Sequence, residues 1–283
     1  MSDPTVLPEA TRVARVDLRV PALDPAGEFY GGGLGFAVDR DGDIMRCSAD
    51  GDSSVLILEA DPDATPRAAA AAGLYHVAYR HPDRTALAAT LARLRAAGYR
   101  LTGVADHVAS EALYLDDPAG NGVELYTDRP REEWEYTDAG EVRLPGEPLD
   151  IAPIEAAAPA DPGARIHPDT DIGHVHLEVT DLERSAAFYR DVLGFNHRLR
   201  KPRALFLAGG EYHHHIALNT RQGRTQPYDP DAQGLVEITF DIPPAAFDRL
   251  QNRVADAGID AERTDERLQV RDPDGIPLAF RSA

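Results

Sequence analysis

Residues 171–195 read DIGHVHLEVTDLERSAAFYRDVLGF, and their period changes once along the way. At first Val175, Leu177 and Val179 alternate with His174, His176 and Glu178, the two-residue period of a strand. After that Leu182, Ala186, Tyr189 and Leu193 recur at helical spacing, and Gly194 stands just past the end. Thr180 and Glu183 fit a capping box at the helix start. A strand passing into a glycine-terminated helix is the expected unit.

That unit recurs along the chain. RVARVDLRV (12–20) precedes LDPAGEFYGGGLGF (23–36), where the glycines at 31–33 weaken the helix end. GLYHVAYRH (73–81) precedes PDRTALAATLARLRAAGY (82–99), with Asp83 as cap and Leu87, Leu91 and Leu94 as the apolar stripe. GLVEITFDI (234–242) precedes PPAAFDRLQNRVADAGI (243–259). Each unit closes on short strands, the last being SSVLILEA, GVELYTD, HHHIALNT and IPLAFRS in turn. An Asp-Pro-x-Gly turn marks the second and fourth units at Asp117 and Asp272, and Asn121-Gly122 reads as a hairpin turn. The expected modules are 10–60, 73–128, 171–220 and 234–283, giving a first pair over 10–128 and a second over 171–283. Residues 129–170, rich in Pro, Ala and acid, read as a surface linker partly ordered by Trp134 and Tyr136.

Composition narrows the function. A formal charge of −19 disfavours nucleic acid, whose phosphates need a basic surface. Lys201 is the one lysine; the other basic residues are arginine, and this Asp-rich, Lys-poor make-up resembles the proteins of extreme halophiles. No apolar run approaches a membrane span, and the opening MSDPTVLPEATRVARVD has no apolar core for a signal peptide, so a soluble cytoplasmic protein is expected. The single cysteine, Cys47, excludes an internal disulfide framework and a cysteine metal cluster, and reads as a small buried strand residue.

A βαβββ module repeated four times resembles the vicinal oxygen chelate superfamily. The resemblance implies an α+β fold in which paired modules form two cupped sheet barrels, with a metal held by residues of the first and last strands. The first-strand position of His174 is Arg15, His76 and Glu237 in the other modules; the last-strand position of Glu124 is Leu56 in the first and Ala279 in the fourth. Arginine cannot ligate. Modules 73–128 and 171–220 together offer His76, Glu124 and His174, two imidazoles and a carboxylate that suit non-haem Fe(II), with Mn(II) as the alternative. The metal barrel is therefore expected from those two modules.

The run His107, Leu113-Tyr114, Asp117-Pro118, Gly120, Glu124 resembles the signature of extradiol ring-cleavage dioxygenases, with Ala105 as its mild departure. The segments IGHVHLEV and YHHHIALN extend the likeness to the two-domain catechol 2,3-dioxygenases of the bacillus type. That resemblance implies a small aromatic diol and O2 as substrates. It implies His214 as acid–base residue, His107 as donor to a substrate oxygen and Tyr114 as a hydrogen-bonding partner of substrate. On a strand, His213 and His215 would point away from the face of His214. His176 shares a face with His174, and Glu237 is a rival ligand or an ion-pair partner. A glyoxalase-type isomerase or lyase and a non-enzymatic binding or resistance protein are the alternative functions, and a homo-oligomer is compatible with the sequence.

Overall fold

The change of period at residue 180 is where a strand gives way to a helix. In the computed structural model, which describes residues 7–283, the first module holds β1 (Arg12–Val20), α1 (Leu23–Gly27), β2 (Ala37–Asp41), β3 (Ile44–Ser48) and β4 (Ser54–Ala60). The second holds β5 (Gly73–His81), α2 (Arg84–Ala96), β6 (Gly103–Asp106), β7 (Ser110–Asp116) and β8 (Gly122–Asp128). After a short helix α3 (Ala152–Ala156), the third holds β9 (Asp171–Glu178), α4 (Leu182–Ala187), β10 (Asn196–Lys201), β11 (Ala204–Ala208) and β12 (Ile216–Asn219). The fourth holds β13 (Gly234–Ile242), α5 (Pro244–Asp256), β14 (Ala261–Arg263), β15 (Arg267–Arg271) and β16 (Pro277–Ser282). The first six residues of the segment read as carrying no leader lie outside the described residues.

Three local expectations need correction. The cap of α4 is Asp181, whose carboxylate accepts from the backbone N–H of Glu183 and Arg184, while the Thr180 hydroxyl donates to Asp274. The β7–β8 turn is built on Asp117 rather than Asn121-Gly122. Gly120 takes φ +83°, its N–H reaches the Asp117 carbonyl, and the Asp117 carboxylate collects the N–H groups of Ala119 and Asn121. The last strand of the third module starts only at Ile216, so His213–His215 precede it. Helices α1 and α4 both continue into a wider π-helical stretch, at Glu28–Leu34 and Phe188–Val192.

The chain divides into two compact units. One gathers the described residues up to Val16, Thr65–Tyr75 and Gly173–Ala283; the other gathers Asp17–Ala64 and His76–Ile172. In the first, β14, β15, β16, β13 and β1 follow one another in the sheet, and β9, β12, β11 and β10 form a second run. In the second, β5, β8, β7 and β6 form one run and β1, β4, β3 and β2 another. The segment 129–170 is not a loose connection. Val142, Leu144, Ile154 and Ile166 are buried, Trp134 is buried with its indole N–H on the Arg129 carbonyl, and only Tyr136 of the two aromatics stays exposed. Among the described residues no helix is long and apolar enough to cross a membrane.

Each unit carries the same tyrosine–aspartate clamp. Tyr30, in the π-helical stretch of the first module, donates to Asp117 in the turn of the second at 3.0 Å. Tyr189 donates to Asp272 in the turn of the fourth at 3.1 Å. Burial is the main cause that raises the Asp272 carboxyl to about 6, and the charge of Asp274 adds to it. A folded-state value above the unfolded one means that the native protein holds the extra proton between about pH 4 and 6. The stability associated with it is complete below that range and lost as pH rises through it, by about 3 kcal/mol at most. Asp272→Asn keeps an oxygen for the turn N–H groups of Asp274 and Ile276 but has no proton to lose. Urea unfolding at pH 4.5 and 7 should therefore show a smaller fall for the variant than for the parent; equal falls would count against the assignment.

Candidate active site

Register decides which side chains meet. In the second module, parallel pairing sets Ala78 of β5 opposite Glu124 of β8, and antiparallel pairing sets Tyr114 of β7 opposite Glu124. Side chains alternate along a strand, so His76, Glu124 and Tyr114 share one face with Ala78, Ala112 and Tyr126. The other face, with Val77, Tyr79, Leu113 and Leu125, is the apolar side. Glu124 is 2% exposed and its Oε2 lies 2.9 Å from His76 Nε2. A buried carboxylate is costly unless a partner meets it. Neighbouring ligands of an ion with bonds of about 2.1 Å stand roughly 3 Å apart, so this nitrogen and oxygen have the chemistry and spacing of two donors to one hard or borderline cation.

His107 sits just after β6. Its Nδ1 is 2.5 Å from the Pro145 carbonyl and its Nε2 is 2.7 Å from the Tyr114 hydroxyl. A carbonyl only accepts, so Nδ1 carries the hydrogen; in the neutral ring Nε2 then accepts from Tyr114. Both nitrogens are engaged, and the reach of His107 toward a bound molecule runs through the Tyr114 oxygen. The loop is held at a backbone cost. Val108 takes φ +66°, a left-handed conformation that a β-branched residue adopts at about 1–3 kcal/mol. Arg129 offsets it by gripping both carboxylate oxygens of Asp106 at 2.7 Å and the Val108 carbonyl at 2.8 Å. Hydrogen bonding from Arg129 is the main cause that holds the Asp106 carboxyl below its usual range.

In the third module, Ala217 of β12 pairs with His176 of β9, Phe206 of β11 with Ala217, and Ala204 of β11 with Lys201 of β10. His174, His176, Phe206, Ala204 and Lys201 thus share one face. His214, just before β12, holds its ring 4.0 Å from that of His174 between centroids, tilted by 40°. Its Nε2 is 2.9 Å from His176 Nε2 and its Nδ1 is 2.7 Å from His213 Nδ1. Each of these contacts needs one donor and one acceptor. A neutral His214 has a single N–H, so it donates to one neighbour and accepts from the other. This is an arrangement suited to passing a proton along three imidazoles.

The expected alternation of the triplet therefore fails. His213 lies on the side of His214, because the backbone there bends and is not yet strand. His174, His213 and His214 bring one nitrogen each within 4.8 Å. His215 instead accepts from the Gly209 N–H through Nδ1. Two residues that motif reading did not place here are Phe206, edge-on to His214 with centroids 5.0 Å apart, and Lys201, whose Nζ is 5.5 Å from the Phe206 ring centre. The only advance signal was that Lys201 has no second of its kind. Glu237 is held by Arg267 and Gln269, as an ion-pair residue would be. The Cys47 thiol is buried in β3 and raised to about 12 by that burial, which leaves it inert.

Comparison with known proteins follows the same lines. The family model of the Glyoxalase/Bleomycin resistance protein/Dioxygenase superfamily matches residues 12–125 and 171–280. A catechol-2,3-dioxygenase of Bacillus subtilis (strain 168) is 40% identical over 276 residues, covering 95% of this chain and 96% of that protein. Among solved structures, a candidate dioxygenase of Bacillus subtilis subsp. subtilis str. 168 aligns with a TM-score of 0.65 at 15% identity, over 96% of this chain and 84% of the other. Glyoxalase I of Zea mays aligns with a TM-score of 0.59 at 17% identity, over 96% and 92%. These two likenesses speak for the fold.

Proposed function

The chain belongs to the Glyoxalase/Bleomycin resistance protein/Dioxygenase superfamily, and from that membership we propose that it is an Fe(II)-dependent extradiol dioxygenase opening the ring of catechol or a substituted catechol with O2. The observation that carries the reading is the convergence of His76 and Glu124 at 2.9 Å on the face that also presents Tyr114, itself backed by His107. The relative at 40% identity supports the same activity.

The proposal assigns the metal to His76, Glu124 and His174. Iron is the preferred ion and Mn(II) the alternative, since two imidazoles and one carboxylate serve both. When bound, such an ion supplies a Lewis-acidic position at which both diol oxygens and dioxygen can meet. The remaining work belongs to side chains. His214 takes a phenolic proton and returns one as the ring opens, with His176 and His213 on either side of it to share the load. Tyr114, whose own hydrogen points to His107, offers its oxygen as acceptor to a substrate O–H. His107 acts as the positioning residue of Tyr114. Neither an isomerase nor a binding protein has a use for the His107–Tyr114 pair together with the imidazole chain.

The test is metal analysis of protein purified without oxygen, followed by Fe(II) loading, addition of catechol and O2, and measurement of the yellow ring-cleavage product. Iron-loaded protein that yields no product from catechol or alkyl catechols would overturn the reading in favour of the isomerase or binding-protein alternatives.

A further inference from the structure

His213 and His214 stand on backbone that precedes β12, whose ladder with β11 starts only at Ile216. The chain reaches them through residues 209–212, and the backbone groups of that loop are fastened one after another. The Gly209 N–H donates to His215 Nδ1 at 3.1 Å, and the Gly210 N–H donates to the Leu7 carbonyl at 2.8 Å. The Glu211 N–H donates to a carboxylate oxygen of Glu9 at 2.5 Å. Asn196 donates to the Gly210 carbonyl at 3.2 Å. Arg198 holds the carbonyl of Glu211 at 3.1 Å and its carboxylate at 2.7 Å. Tyr212 then lays its ring beside His213, with centroids 4.0 Å apart, and beside His215 at 5.0 Å.

Two of these fastenings come from the far end of the sequence. Residues 8–11 make a turn closed by the Thr11 N–H on the Pro8 carbonyl at 3.0 Å, and the Leu7 N–H ties it to the Gly194 carbonyl at 2.7 Å. The turn lies against the loop more closely than side chains allow. A Cβ on the buried Gly209 would stand 2.7 Å from the Pro8 carbonyl oxygen and closer still to the Thr11 side chain. A Cβ on Gly210, which takes φ +61°, would stand 2.6 Å from Glu9 Cα. Only glycine fits at either place. Contact this close passes a displacement of the turn on to the loop. His214 follows Glu211 by three residues, and its contacts of 2.9 Å to His176 and 2.7 Å to His213 weaken steeply when misaligned.

We infer that Gly209 and Glu9 are positioning residues for His214: through them the N-terminal turn holds the loop so that His214 stands between His213 and His176 in the geometry that passes a proton. The consequence for turnover rests on the dioxygenase reading. Gly209 acts by having no side chain, which lets the turn sit on the loop. Glu9 acts by accepting from the Glu211 N–H.

The experiment compares full-length wild type with Gly209→Ala, Glu9→Ala and Glu9→Gln, each alone and combined with His214→Ala. Thermal melts check folding, and the surface variants at Glu9 decide the matter if Gly209→Ala does not fold. On iron-loaded protein with catechol and O2, Gly209→Ala should lower kcat by about 10–100-fold with KM and iron content unchanged. Glu9→Ala should lower it by about 3–10-fold, and Glu9→Gln, which keeps an acceptor oxygen, should restore most of that. With His214 already replaced, neither change should cost anything further, whereas a merely structural role would cost the same in both backgrounds. A second readout needs no turnover: the ring-nitrogen NMR signals of 15N-histidine-labelled, metal-free protein. Those of His213 and His214 should move in Gly209→Ala and Glu9→Ala and return in Glu9→Gln. Signals that stay in place in the folded variants, or equal costs with and without His214, overturn the inference. Signals that move as expected, in a protein that when iron-loaded cleaves no catechol, would support the positioning role and reject the dioxygenase reading.

Discussion

Glu124→Ala is expected to abolish iron retention and, with it, ring cleavage, while the chain stays folded. Glu124 is the single carboxylate of the proposed set. It is buried, and its oxygen already stands 2.9 Å from His76 Nε2. Losing a partner that merely orients a ligand typically costs about 10–100-fold in metal affinity or activity, so losing a ligand and its negative charge should cost more. Folding need not suffer in proportion, because removing a carboxylate from a buried site also removes its desolvation penalty. Glu124→Gln is the companion: it keeps the shape and loses the charge. The measurement is iron per chain after anaerobic loading and desalting, with circular dichroism as the check on folding. Iron held at wild-type levels by both variants would show that the ion rests on another set. His174, His213 and His214, whose nitrogens lie within 4.8 Å of one another, would then be the first to examine.

The second large effect concerns His214. His214→Ala should keep its iron and lose turnover by about 10²–10⁴, the usual worth of a positioned proton transfer. His214 is the middle member of an imidazole chain, bonded to His213 on one side and His176 on the other. Its removal breaks the chain in two, whereas His213→Ala only shortens it and should cost less. Single-turnover rates on iron-loaded protein, compared across the two variants, decide the matter. If His213→Ala is the more damaging, the acid–base role moves to His213; if His214→Ala is fully active, no proton need pass through this chain.

The parts that could be read from sequence share a physical trait. Glu124, Tyr114 and His107 can be picked out by their local spacing, but Tyr114 and Glu124 stand on different strands, and it is the register of β7 against β8 that sets them opposite each other on one face. Where two neighbouring residues could do the same job, sequence alone does not say which of them is used. Thr180 and Asp181 are both good caps, and only the bonds to Glu183 and Arg184 show that Asp181 is used. At the β7–β8 turn, Asn121-Gly122 looked sufficient, but the Asp117 side chain organises the turn from its other end. The histidine triplet escapes strand alternation because β12 starts only at Ile216, after its last member. Lys201 was illegible for a different reason. A register shift between His197 and Leu199 moves the rest of β10 by one position, so counting from the start of that strand puts Lys201 on the wrong face.

The repeated clamp has a bearing on ancestry. Tyr30 belongs to one module and its acceptor Asp117 to the next, and the same holds for Tyr189 and Asp272. A lone module copied elsewhere in a genome would carry half a contact: a tyrosine without its acceptor, or a buried carboxylate without its donor. Two consecutive modules carry the whole of it. The piece that can be duplicated, fused or exchanged between proteins without stranding a buried polar group is thus the consecutive pair, and a chain of four modules is what one doubling of that pair produces.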